Sequence, residues 1–123
     1  MIGHTLRESL VHGVQELYSA EQLQVRMLPR LVRAASSSDL RDALSLHHKE
    51  TAQQVRRLER AFSLLEEPVR WTRCAGMLGI VEECEEPLDG GTPGPMTDAA
   101  LIAAVQRAEH YEMAAYGTLV AWA

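Results

Sequence analysis

The chain has 123 residues and a net charge of −5, which allows one domain with a hydrophobic core and excludes two. It carries no run of Lys and Arg of the kind that binds nucleic acid, and its apolar runs are too short to span a bilayer. Residues 1–10 lack the layout of a signal peptide, so we expect a cytoplasmic protein without nucleic-acid or membrane partners. Cys74 and Cys84 match no zinc or redox spacing and are expected to be free thiols.

The composition predicts an all-α fold, because Ala, Leu, Arg, Glu and Gln dominate and alternating strand patterns are scarce. The first helix is expected over about residues 5–33, with a kink at Pro29 near its end. The second helix is expected over about 39–65, and either Ser38 or Asp39 can cap its N-terminus.

A shorter third helix is expected over about 72–86, followed by a loop at 87–97 that contains three prolines and three glycines. The fourth helix is expected over about 98–123, with a cap at Thr97 or Asp98. Long helices joined by short turns, with one longer crossover, are typical of an antiparallel helical bundle.

Two of these helices place carboxylates where the apolar stripe should run. Because each residue advances the helix by about 100°, the inward stripe can be drawn from the sequence alone. On the first helix, Glu21 is flanked within about 40° by Leu10, Val14, Leu17, Val25 and Leu28. On the fourth helix, Glu109 is flanked within about 60° by Ile102, Val105, Met113, Tyr116 and Val120. Glu112 lies one turn further along the same side.

The second helix adds a histidine and a further carboxylate. Its stripe is centred on Thr51 and consists of Leu44, Val55, Leu58, Phe62 and Leu65. His47 and Gln54 lie on the edge of this stripe, within about 60° of Thr51. Glu50 lies further round but shares that edge with His47, which gives a His-x-x-Glu pair.

This pattern favours a metal site formed by Glu21, His47, Glu50, Glu109 and Glu112. A buried carboxylate costs several kcal/mol unless its charge is compensated, and the arginines of this chain do not fall centrally on the stripes. Carboxylate oxygen with imidazole nitrogen suits iron or manganese equally. A single inward Glu more often reaches solvent, and a single His more often packs, but the coincidence on three helices favours metal.

Four segments also match the signatures of one known family, namely ELYSAEQ (16–22), HHKETAQQVRRLE (47–59), CAGMLGIVEE (74–83) and DAALIAAVQRAEHYEMAAYGTL (98–119). Through them the sequence resembles the YciE/YciF family of ferritin-like proteins over nearly its whole length. The resemblance implies a ferritin-like bundle with a candidate di-metal site and a stress-related role without a settled reaction. It places Glu21, Glu50, Glu109 and Glu112 on the family's acidic positions, and His47 on its histidine position.

Members of that family continue beyond the position of Ala123 into another long helix with further acidic residues, so this chain is expected to lack the usual last helix. The first, second and fourth helices would then leave an apolar groove. A second subunit can cover it, the third helix can swing in with Glu82 or Glu83, or the chain is a fragment. We favour a homodimer or a higher homo-oligomer.

Two functions of different classes follow. The first is a di-iron or di-manganese carboxylate protein, either an oxidase or peroxidase acting on reduced oxygen species or an iron-binding stress protein. The second is a metal-free helical module that dimerises through its groove. The inward carboxylates favour the first.

Overall fold

The protein, described here by a computed structural model over residues 5–123, folds into α-helices without a strand in that range. The all-α prediction is confirmed. The helices are α1 (Leu6–Ala34), α2 (Ser38–Leu64), α3 (Ala75–Glu85) and α4 (Pro95–Trp122), and a short 3₁₀ turn at Glu86–Leu88 follows α3. Within residues 5–123, none of the helices combines the length and the apolar character needed to cross a membrane.

The turn between α1 and α2 is short, so these two helices run antiparallel. α1 continues through Pro29, and α2 begins one residue earlier than expected. The predicted cap at Ser38 or Asp39 is wrong, because Ser37 occupies the cap position and its side chain accepts a hydrogen bond from the backbone N–H of Leu40 at 3.3 Å.

The third and fourth helices begin elsewhere than the sequence suggested. α3 starts at Ala75 rather than near residue 72, with Cys74 at its cap position. α4 starts at Pro95, before the expected cap at Thr97 or Asp98, because proline fits the first turn of a helix, where its missing N–H leaves no bond unmade.

Asp98 has a different role from the predicted one. Its carboxylate accepts hydrogen bonds from the backbone N–H and the hydroxyl of Ser36, both at 2.8 Å, and from the backbone N–H of Ser37 at 3.0 Å. These bonds hold the pKa of Asp98 below its usual range. The start of α4 is thereby fastened to the turn between α1 and α2.

α1 is the central helix of the fold. α2 packs along one side of it, whereas α3 and α4 pack against each other and against α1. Where α1 begins and α2 and α4 end, an apolar groove of about 560 Å³ remains. This open groove is lined by Leu10 and Val14 of α1, Leu58 and Ala61 of α2, and Tyr116 and Val120 of α4, among others.

The core consists of apolar clusters with a polar layer between two of them. The cluster nearer the α1–α2 turn includes Met27, Leu28, Leu31, Leu44, Leu101 and Val105. The cluster nearer the open groove includes Val14, Leu17, Leu58, Phe62 and Leu119. Buried polar side chains lie between the two clusters, two on α1 and one each on α2 and α4. They form the polar layer of Glu21, Gln24, Thr51 and Glu112. Cys74 and Cys84 are buried free thiols, as predicted.

Candidate functional site

The polar layer is the chemically unusual part of the interior. Glu21, Gln24 and Thr51 are fully buried, and Glu112 is only 7% exposed. Glu21 and Gln24 are three residues apart on α1 and therefore lie on the same side of it. Buried carboxylates are rare in proteins unless they are paired or bind a cation, so this layer is a candidate site.

One side chain links the two carboxylates. Nε2 of Gln24 donates a hydrogen bond to Oε1 of Glu112 and another to Oε1 of Glu21 at 3.3 Å. Three buried polar atoms beside them have no hydrogen-bond partner among the described residues: Oε2 of Glu21, Oε1 of Gln24 and the hydroxyl of Tyr116. The site therefore holds more oxygen atoms than the protein satisfies, which is the situation that a bound cation resolves.

The pKa shifts in the polar layer also reflect buried acidic groups without a compensating positive charge. Burial, the hydrogen bond with Glu112 and the charge of Glu112 together raise the pKa of Glu21 to about 10. Burial, followed by the charges of the same two glutamates, also raises the pKa of Tyr116. The ion pairs found within residues 5–123 involve neither Glu21 nor Glu112. In the metal-free protein, the raised pKa therefore favours a protonated Glu21 at neutral pH.

A second pair lies at the edge of the bundle. Nδ1 of His47 on α2 lies 3.6 Å from Oε1 of Glu109 on α4, with the histidine side chain 16% and the glutamate side chain 51% exposed. The backbone carbonyl of His47 also accepts a hydrogen bond from the hydroxyl of Thr51 at 2.8 Å. Glu109 of this pair lies on α4, three residues before Glu112. The remaining predicted carboxylate, Glu50, is exposed on α2.

The position predicted for Glu109 at the centre of an inward stripe is wrong. Ile102, Met113 and Val120 of that stripe are exposed, although Val105 is buried. The buried side of α4 is instead built from Leu101, Ala104, Val105, Ala108, Glu112 and Leu119. Alanines allow α4 to approach its neighbours closely, which turns the helix so that Glu112, rather than Glu109, faces the core. The stripes predicted around Glu21 and Thr51 are confirmed by the burial of those two residues.

Four of the five predicted residues form two pairs rather than one cluster, and Glu50 belongs to neither pair. Glu21 meets Glu112, and His47 meets Glu109; within residues 5–123, no group of three or more His, Cys, Asp or Glu side chains is arranged to hold a metal. Two carboxylates and a carboxamide are the kind of oxygen donors that a divalent cation binds, although Nε2 rather than Oε1 of Gln24 faces the two carboxylates in this structure. A two-metal arrangement would require the side chains of the second pair to move inward.

The third helix does not contribute a ligand in this structure. Glu82 and Glu83 are both exposed, and Oε2 of Glu83 lies 3.6 Å from a guanidinium nitrogen of Arg107. The alternative in which α3 swings a carboxylate into the site is therefore not the arrangement observed.

Two residues of the site were missed as site residues by the sequence analysis. Gln24 is neutral and stands out in no charge pattern, although its spacing of three residues from Glu21 places both on one side of a helix. Tyr116 was placed only in the apolar stripe of the fourth helix. Its spacing of four residues from Glu112 is the signal that connects it to the site.

Comparisons with known proteins agree with this architecture. Residues 5–123 match the family described as a domain of unknown function, DUF892. The chain is 37% identical to Protein YciF of Escherichia coli (strain K12) over 116 residues, which cover 94% of this chain and 70% of YciF. The crystal structure of the E. coli stress protein YciF superposes with a TM-score of 0.91 at 35% identity, over 98% of this chain and 76% of that one. YcfI of Rhodopseudomonas palustris superposes with a TM-score of 0.92 at 35% identity, over 97% and 76%. The chain therefore belongs to the DUF892 family and is a relative of the stress protein YciF.

Proposed function

We propose that this chain is a ferritin-like metal-binding protein that holds divalent iron or manganese at Glu21 and Glu112 and acts in a stress response. The observation that carries the proposal is the burial of these two carboxylates together, at 0% and 7% exposure, without a basic partner among residues 5–123. The description of the relative YciF as a stress protein supports the second half of the proposal. The buried free thiols fit a cytoplasmic location, which we also propose.

The polar layer would hold the first cation through Glu21 and Glu112. His47 and Glu109 would hold a second cation beside it, with Glu50 one turn along α2 from His47. Bound iron or manganese would supply the redox chemistry toward oxygen or peroxide. The chain's own contribution is to bury the carboxylates between two apolar clusters, which excludes water from the site.

Thermal unfolding of the wild type and Glu21→Gln, each with and without Fe(II) under nitrogen, tests this proposal. Fe(II) should raise the melting temperature of the wild type, because a ligand that binds only the folded state stabilises it. It should have a clearly smaller effect on Glu21→Gln, which removes a carboxylate ligand of the first cation, keeps the side-chain shape and leaves His47 and Glu109 unchanged. Glu59→Gln, on the exposed surface of α2, serves as the matched control. Equal shifts in all three proteins would contradict the proposal.

A second candidate function, a helical dimerisation module, is favoured by the open groove. Its lining is predominantly apolar, and Leu64 and Val120 at its rim are each about three-quarters exposed. YcfI is described as a candidate structural protein, which fits this function. We propose that a second copy of the chain covers the groove, since an isologous interface buries the same apolar surface on both copies.

Light scattering tests the dimer. The wild type should have the mass of a dimer at micromolar concentration, and Val120→Glu should dissociate it by placing a charge in the interface. Glu109→Gln, outside the groove lining, is the control. A wild-type monomer at that concentration would contradict this second function without affecting the metal proposal.

A further inference from the structure

Gln24 is a buried neutral polar side chain that contacts both carboxylates. It is fully buried, and both hydrogens of its Nε2 point to glutamate oxygens, one on α1 and one on α4. Its own carbonyl oxygen, Oε1, has no hydrogen-bond partner among the described residues. The donor end of this carboxamide is therefore hydrogen-bonded and its acceptor end is not, which is unusual for a buried amide.

The carboxamide of Gln24 can interact with the two carboxylates directly or with a cation bound between them. Its Nε2 end can only donate hydrogen bonds, and its Oε1 end can only accept them or bind a cation. Rotation about the last side-chain bond exchanges the two ends at nearly constant shape. With no cation between Glu21 and Glu112, the Nε2 end is favoured there because it donates to both carboxylates. With a cation between them, the Oε1 end is favoured.

We propose that Gln24 is a ligand of this site: its Nε2 bridges Glu21 and Glu112 in the metal-free protein, and its Oε1 turns to a divalent cation when one binds. This inference rests on the proposed function, in which the two glutamates bind that cation. Gln24 thereby holds the side chains of Glu21 and Glu112 in position in the metal-free protein and adds a third oxygen when a cation binds. The unpartnered Oε1 is the atom that the metal-free arrangement does not use.

Calorimetric titration with Mn²⁺ under nitrogen distinguishes the roles of the two ends of this side chain. Gln24→Met keeps the length of the side chain but removes both the amide hydrogens and the hard oxygen. It should bind Mn²⁺ at least about tenfold more weakly than the wild type. Gln24→Glu replaces the amide donor by a second oxygen and adds a negative charge, so it should bind at least as tightly as the wild type. Gln22→Leu, two residues earlier on α1, should leave the affinity unchanged.

Each result separates the possibilities. Equal affinity of Gln24→Met and the wild type would overturn the assignment of Gln24 as a ligand while leaving the metal site intact. Equal losses in Gln24→Met and Gln24→Glu would overturn the rotation, because only the donor end would then matter. A wild type that binds neither Mn²⁺ nor Fe²⁺ would overturn the proposed function itself. Circular dichroism of each variant confirms the helical fold, and if Gln24→Glu is unfolded without metal, Gln24→Met alone decides the ligand role.

Discussion

Glu21 of α1 and Glu112 of α4 face each other across the carboxamide of Gln24, which donates a hydrogen bond to both. The two glutamates are 91 positions apart in the chain and meet only because α4 runs antiparallel to α1. The predictions below follow from this contact and from the packing that creates it.

The metal-free protein should become less stable as the pH rises. Because the pKa of Glu21 is raised from 4.5 to about 10, the folded state keeps a proton that the unfolded state releases above pH 4.5. The contribution of this group is therefore fully present below pH 4.5. Between that pH and about 10, the free energy of unfolding should fall by up to about 1.4 kcal/mol per pH unit.

Glu21→Gln should remove this slope and stabilise the metal-free protein near neutral pH by about 1–4 kcal/mol, since it removes a buried ionisable group. Urea unfolding at a series of pH values between 5.5 and 8.5, in the presence of a chelator, measures both effects. Glu59→Gln on the exposed face of α2 should leave the slope unchanged. A wild type whose stability rises with pH relative to Glu21→Gln would contradict the burial of a protonated Glu21.

Asp98→Asn should destabilise the protein, because the amide cannot accept all three hydrogen bonds that the carboxylate takes from Ser36 and Ser37. The pKa of Asp98 is lowered in the folded state, so its contribution is present above the unfolded value of 3.8 and is lost as the pH falls through the lower folded value. The melting temperature of Asp98→Asn should be lower than that of the wild type at pH 7, and this difference should shrink under acid conditions. Asp42→Asn, exposed on α2, should show neither effect.

Two glycines of α3 should respond to alanine in opposite ways. A Cβ at Gly76 would lie 2.6 Å from Cε2 of Tyr111, so Gly76→Ala must displace that ring and should cost about 1–3 kcal/mol. A Cβ at Gly79 would meet no atom within 4 Å, so Gly79→Ala should gain about 0.4–1 kcal/mol by restricting the unfolded chain. Chemical denaturation of both variants measures whether the free energy of unfolding falls or rises. A stabilised Gly76→Ala would show that Tyr111 does not pack on α3 as described.

Glu109→Gln should barely affect the stability of the metal-free protein, within about 0.5 kcal/mol, because its side chain is half exposed. In the metal-loaded protein the same change should remove the second cation and leave the first, since Glu21 and Glu112 are intact. Urea unfolding and metal content of one preparation measure both. A large gain in metal-free stability would mean that Glu109 is buried after all.

The carboxylates of α1 and α4 illustrate how much of the candidate site could be predicted from the sequence. The inward position of Glu21 was predicted correctly because α1 has large apolar residues on both sides of it, so only one orientation of the helix buries them. On α4 the large apolar residues and the alanines favour different orientations. Packing selects the side with Ala104 and Ala108, which turns the helix by about the angle that separates Glu109 from Glu112.

Two further differences between the sequence-based expectations and the structure concern the start of α4 and the hydrogen bonds of Gln24. A proline at the first turn allowed α4 to begin before the Thr97–Asp98 pair, and this freed Asp98 to bind the α1–α2 turn. The hydrogen bonds of Gln24 depend on a partner on α4, and no periodicity within α1 contains that information. Helix identity was thus predictable from local pattern, whereas the rotation of α4 and the partners of its side chains depend on tertiary packing.

The measurement that tests the central claim most directly is elemental analysis after anaerobic Fe(II) loading and removal of unbound metal. The wild type should retain between one and two iron atoms per chain, and Glu21→Ala should retain close to none at the polar layer. Glu59→Ala, on the surface of α2, should match the wild type. Absence of bound iron and manganese from the wild type, or equal metal content in the wild type and Glu21→Ala, would contradict the assignment of Glu21 and Glu112 as a metal site.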